Sequence, residues 1–316
     1  MEYRKLGNTD LVVSRLCFGG LTVGPLQANL PIDEGARIMV EAFKRGVNFI
    51  DTAELYETYP YIREALKLYN ENHIIIASKS YAYDKDTAKN SIEKARRELN
   101  RDVLDIFLLH EQESEHTLRG HYEALEYYLN LKEKGIIKAV GLSTHTVRAV
   151  EVASKMDEID VIHPIINKAG VGIQDGTVED MLEAIKKAYT NGKGIYGMKP
   201  IGGGNLIKDV PASLDYVLNI EELHSIAVGM QTVEEVIYNV NKFINKEIPR
   251  EIINRISTKE RKLHIDFWCE ACGECVKHCN HRALEIIEGK LIVKKEKCVL
   301  CGYCSKYCPQ FCIKIV

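Results

Sequence analysis

The chain has 316 residues, 46% of them hydrophobic and 28% charged, with a formal net charge of -3. That composition suits an ordinary globular protein with a large core, and the charge gives no reason to expect nucleic-acid or acidic-membrane binding. No apolar run approaches the ~18 residues of a membrane span, and the opening Met1-Glu2-Tyr3-Arg4-Lys5 lacks the apolar core of a signal peptide.

The segment from Tyr3 to Ser14 holds a turn signal inside alternating apolar positions, which predicts a hairpin capping a barrel floor. Short apolar runs then recur at 15–19, 47–51, 73–78, 103–110, 136–142, 160–166, 194–199 and 223–229. Each is followed by a helical pattern, at 33–45, 58–70, 87–99, 118–134, 146–156, 178–191, 211–220 and 232–245. Eight strands each followed by a helix is the arithmetic of an α/β (β/α)8 TIM barrel, which needs roughly 250 residues; residues 1–245 supply them. Residues 246–268, charged, helical in pattern and with Pro249 near their start, are expected to be a connector.

Residues 269–316 form a separate small domain with two copies of one cysteine pattern. Cys269, Cys272, Cys275 and Cys279 are spaced C-x2-C-x2-C-x3-C, and Cys298, Cys301, Cys304 and Cys308 repeat the spacing, with Pro309 after the last. This is the run that holds four-iron clusters in bacterial ferredoxins, where the fourth cysteine ligates the other cluster. Cluster one is therefore expected on Cys269, Cys272, Cys275 and Cys308, and cluster two on Cys298, Cys301, Cys304 and Cys279. A disulfide framework would need an oxidising compartment, and zinc usually takes paired C-x2-C knuckles. Asn280 stands where the run often has proline, a turn residue rather than a ligand. Between the runs, Leu284 to Val293 reads as a hairpin, completing a small α+β ferredoxin-like domain. Clustered thiols that must stay reduced point to the cytoplasm. Cys17, inside Leu16-Cys17-Phe18, reads as a core residue, and Cys312 as packing near a cluster. One-electron transfer is thus expected to be part of the protein's work.

Chemistry in such barrels sits at the C-terminal ends of the strands. The second strand ends in Asp51, with Tyr56 just beyond; the third ends at Lys79 and the fourth at His110. An ammonium beside a phenol lowers its pKa, an aspartate keeps that lysine charged and oriented, and a neutral histidine can donate to a substrate oxygen. Together they suit proton donation to an oxygen that gains charge as hydride arrives. Glu54 and His145 lie close by without an assigned role.

Here the chain resembles the aldo-keto reductase family. The likeness rests on the Tyr3-to-Ser14 segment, Phe49-Ile50-Asp51-Thr52-Ala53 with Tyr56, Ser78-Lys79, Leu108-Leu109-His110, Gly141-Leu142-Ser143 and Asn167. The whole chain looks like the reductases with a fused C-terminal ferredoxin-like domain. The resemblance implies a tetrad of Asp51, Tyr56, Lys79 and His110, with Tyr56 the general acid/base, Lys79 and Asp51 tuning it and His110 orienting a carbonyl. It implies hydride transfer between a nicotinamide and a small carbonyl or alcohol substrate. The cofactor contacts it implies are Ser143, His163, Asn167, Met198, Lys199, Gly202, Gly229, Thr232 and Asn239. Several depart from the family's pattern: Ser143-Thr144 replaces Ser-Asn, His163 replaces a glutamine and Met198 a stacking tyrosine. Gln231 stands where a cation meets the 2′-phosphate, and Tyr238 where an acid meets the adenine. NADP(H) or NAD(H) is expected, with weak discrimination between them. Gly202-Gly203-Gly204 reads as a phosphate contact or a plain turn, and Lys199 as pairing with a phosphate or a carboxylate. A flavin is the alternative carrier, because its semiquinone bridges two-electron and one-electron chemistry. In that alternative the barrel is a flavin site or a docking scaffold within an electron-transfer protein. A redox partner protein is expected in either case; the oligomeric state is not set by the sequence.

Overall fold

The computed structural model describes residues 1–70 and 73–316. Strands β1 (Tyr3–Lys5) and β2 (Val12–Ser14) pair antiparallel. Their Leu6, Leu11 and Val13 join the interior of the barrel above, so the hairpin plugs its floor. The barrel strands are β3 (Leu16–Gly19), β4 (Phe49–Asp51), β5 (Ile75–Ser80), β6 (Leu104–Leu109), β7 (Ile137–Thr144), β8 (Val161–Pro164), β9 (Gly194–Met198) and β10 (Ser225–Gly229). They run parallel and close in order, β10 pairing with β3, so each strand end faces the same rim.

Parallel strands buried on both faces read as continuous apolar runs, which is why all eight are visible in the sequence. The runs feed two cores. One lies inside the barrel, where Cys17, Phe49, Ala77, Ile106, Leu108 and Tyr196 meet; the other lies between strands and helices, around Phe18, Phe43, Phe107 and Tyr128. Amphipathic helices cover the strands, and some carry side-chain caps, as at Lys85–Leu99, where Asp84 and Thr87 form a capping box. The fourth helical pattern is broken at His121 into Glu115–Gly120 and Tyr122–Glu133.

The connector is helical only over Arg250–Ser257. It then becomes strand β11 (Leu263–Ile265), which pairs antiparallel with β14 (Ile313–Ile315) at the end of the chain. Between them β12 (Leu284–Ile287) and β13 (Lys290–Val293) form the expected hairpin, flanked by short helices Glu274–Lys277 and Tyr303–Lys306. This small α+β domain packs on the barrel's C-terminal rim, where β14 meets the turn at Gly202–Gly204.

Candidate active site

The closed barrel brings Asp51, Tyr56, Lys79 and His110 together at its C-terminal rim. Lys79 reaches both oxygens of Asp51, at 2.9 and 2.8 Å, and the Thr52 carbonyl at 2.7 Å. Burial raises the Asp51 carboxyl, but the Lys79 charge and the bonds it receives outweigh this, and its pKa lies below the usual value. Tyr56 sits in a 3-10 turn after β4, with the Lys79 ammonium 4.8 Å from its ring centroid. The sequence alone predicts that this lysine lowers the phenol pKa. The phenol is instead pushed well up, first by burial and then by the Asp51 charge; the ammonium lies against the ring face and is already committed to Asp51.

His110 is clamped between the ring of Tyr81, stacked at 4.3 Å, and the edge of Tyr56 at 5.6 Å. Burial holds its pKa down to about 3, so the ring is neutral. Its Nδ1 is buried without a hydrogen-bond partner among the described residues, and such an atom costs free energy until something binds it. Glu54 points away, accepting from Ser91 at 2.6 Å and lying 3.5 Å from Lys94.

Beneath the tetrad lies Tyr196, which the sequence does not single out because it is hidden in the apolar run of β9. Its hydroxyl donates to Asp51 Oδ1 at 2.9 Å and its ring stacks on His163 at 3.8 Å. His163 Nδ1 lies 2.6 Å from the Tyr196 carbonyl. Burial lowers the His163 pKa to about 4.

A second polar chain runs along the rim. Lys199, in left-handed backbone with φ of 57°, a conformation that costs a non-glycine residue about 1–3 kcal/mol, places its ammonium 2.7 Å from His145 Nε2. That nitrogen is 3.8 Å from Glu111, which accepts from the Tyr81 hydroxyl at 2.5 Å. The sequence pairs Lys199 with a phosphate or a carboxylate; its direct partner is an imidazole. Burial and then the neighbouring Lys314 charge bring its pKa down to about 7.

From the tetrad a cleft of about 610 Å³ runs across the rim, within the ~300–1,000 Å³ typical of ligand sites. Of the residues the resemblance implied, His163, Met198, Lys199, Gly229 and Asn239 line it, as do Gln231 and Tyr238. Ser143, Asn167, Gly202 and Thr232 do not. The Ser143 hydroxyl accepts from the Glu111 amide at 2.9 Å, and Asn167 bonds to its own turn through Val171. Thr232 caps the helix Val233–Phe243. At the far end, Lys259 from the connector lies 2.6 Å from Gln231 Oε1 and 3.0 Å from Glu235 Oε1, with Arg261 3.4 Å from the same carboxylate oxygen. Cations therefore stand beside Gln231, supplied by a segment that carried no sequence signal for the site.

In the small domain, burial raises the Cys275 thiol to about 11, and the charges of Cys308, Cys269 and Cys272 push it in the same direction. Cys279, Cys298, Cys301 and Cys304 line one cavity. The fourth thiol of each run accepts a backbone N–H four residues on: Cys279 from Ala283 at 3.3 Å and Cys308 from Cys312 at 3.2 Å. The rings just before them, His278 and Tyr307, stack at 3.6 Å. Four thiols per group, with amide donors to sulfur, fit iron–sulfur ligation.

Fold and site together define a barrel oxidoreductase joined to an iron–sulfur module. The chain belongs to the aldo/keto reductase family, whose model matches residues 15–217. A 4Fe–4S binding domain matches residues 291–314. Among curated proteins it is 23% identical to L-galactose dehydrogenase of Arabidopsis thaliana, over 76% of this chain and 87% of that protein. It is 30% identical to pyridoxine 4-dehydrogenase of Escherichia coli, over 64% of this chain and 76% of that one. A solved putative aldo-keto reductase from Pseudomonas aeruginosa superposes with a TM-score of 0.66 at 25% identity, covering 77% of this chain and 95% of that one.

Proposed function

We propose that this chain transfers hydride between a nicotinamide nucleotide and a small carbonyl or alcohol, and that two 4Fe–4S clusters return the nucleotide to its starting state by exchanging electrons one at a time with a partner protein, two electrons and one proton balancing each hydride. The observation that carries this reading is the position of Tyr56, which lines the large cleft together with Asp51 and the adjoining small cavity together with His110, while Lys79 holds Asp51 at 2.8 Å. A nicotinamide bound in the cleft would supply the hydride. Tyr56, kept protonated at neutral pH by its raised pKa, is the proton donor to the carbonyl oxygen in the reduction direction. His110, neutral and with Nδ1 unpartnered among the described residues, orients that oxygen. Asp51 and Lys79 fix each other and the turn carrying Tyr56 through the Thr52 carbonyl. The thiol grouping supports cluster one on Cys269, Cys272, Cys275 and Cys308 and cluster two on Cys298, Cys301, Cys304 and Cys279. Electrons would then pass to or from a partner protein in a reducing compartment such as the cytoplasm.

One observation favours the second reading, a flavin or a docking scaffold: Ser143 and Asn167 are committed to backbone groups outside the cleft. Titration of NADPH and NADH into anaerobically purified protein, with its absorbance spectrum, separates the two. Saturable nucleotide binding supports the first reading. A flavin spectrum, or no binding of either nucleotide, supports the second.

A further inference from the structure

We propose that the substrate pocket is shared between the two domains: Asp266, Trp268 and Lys314, carried beside Cys269 and Cys308, form the wall facing Tyr56 and His110 and select what enters. The inference rests on the reading of the barrel as a carbonyl or alcohol oxidoreductase.

A cavity of about 40 Å³ is lined by Tyr56 and His110 from the barrel and by Asp266, Trp268 and Lys314 from the segments that flank the cysteines. Lys314 is buried, 3.1 Å from Asp266 Oδ2 and 3.7 Å from the centroid of the Phe311 ring, which also lies under Lys199 at 4.7 Å. A space this small responds to the volume of each side chain around it, so its wall acts as a sieve.

Hydrogen bonds tie the wall to the segments that carry the cysteines. Cys269 N–H donates to the Asp266 carbonyl at 3.2 Å, Asp266 N–H to the Cys312 carbonyl at 2.8 Å, and Cys312 N–H to Cys308 Sγ at 3.2 Å. Trp268 Nε1 donates to the Gln310 carbonyl at 3.3 Å. Cys269 and Cys308 fall in the same proposed ligand set, so that cluster would staple both segments of the wall.

The wall is also seated on the barrel. A Cβ on Gly204, whose φ is 85°, would lie 2.0 Å from the Ile315 carbonyl oxygen, and one on Gly302 2.6 Å from the Asn205 carbonyl oxygen. Asn205 donates to the Ile313 carbonyl at 3.2 Å. The glycine-rich turn after β9 thus admits the small domain's backbone directly, which is reason enough for its glycines.

Two measurements test the proposal. In the cluster-loaded full chain, Trp268→Ala should raise the ratio of kcat/KM for benzaldehyde to that for propanal at least tenfold, with NADPH affinity and the paramagnetic signals of the clusters unchanged. An unchanged ratio overturns selection by this wall. Hydrogen exchange on the full chain, with and without clusters, reads the wall itself. Cluster removal should deprotect peptides covering 54–57 and 199–205; deprotection confined to 269–316 overturns the shared wall. Should the native protein reduce neither aldehyde, the carbonyl reading fails, and the exchange result alone then decides whether the wall exists.

Discussion

Tyr56 and His110 meet edge to face at a mouth where the imidazole Nδ1 has no hydrogen-bond partner among the described residues. The substitution Tyr56→Phe removes the proton donor and little else. Turnover of a reducible carbonyl should fall ~10²–10⁴-fold, with fold and clusters retained; near-normal rates would remove Tyr56 from the mechanism. Lys79→Met is a different kind of change. It strands Asp51 as an unpaired buried charge, for which about 3–5 kcal/mol of stability is lost, so denaturation should show a large defect alongside lost activity. His163 carries a pH signature. Its folded pKa of about 4 lies below the ordinary 6.5, so the unfolded chain takes a proton between those values and the folded chain does not. Stability therefore falls as pH drops from 6.5 toward 4, by at most about 1.4 kcal/mol per pH unit from this group. His163→Gln should flatten that slope in denaturant titrations, and identical slopes would contradict the buried, neutral ring.

At the scale of elements, the two cysteine runs make a sharp prediction. Cys308→Ala should abolish the paramagnetic signal of the cluster on Cys269, Cys272 and Cys275; loss confined to the cluster of Cys298, Cys301 and Cys304 would show that each run serves itself. The barrel was legible because its eight strands are buried and mainly apolar, and the polar residues at or near their ends, Asp51, Lys79 and His110, mark the rim. What stayed hidden has a common cause. Tyr196 is a polar tip on an apolar body inside a strand, so periodicity counts it as core. Lys259, Arg261, Asp266 and Lys314 reach the site only because β11 pairs with β14 and folds the chain's end back onto the rim, a long-range contact that no local pattern encodes. Ser143 and Asn167, implied by likeness, are drawn into bonds with backbone groups, Ser143 with the distant Glu111 and Asn167 with its own turn.

For the whole molecule, full reconstitution should give about eight iron atoms per chain, the content of two four-iron clusters. A plateau near four would limit the chain to one cluster, the number that the matched segment 291–314 by itself requires. The joining of the domains through β14 makes the two sites neighbours and not merely passengers on one chain. The chain's single tryptophan, Trp268, sits at that junction, adjacent in sequence to Cys269 and on the pocket wall. Indole emission from this protein would come from one known place. An oxidation-state change in the iron and the arrival of a small molecule would then both register in the same fluorescence channel, so the protein carries its own optical reporter.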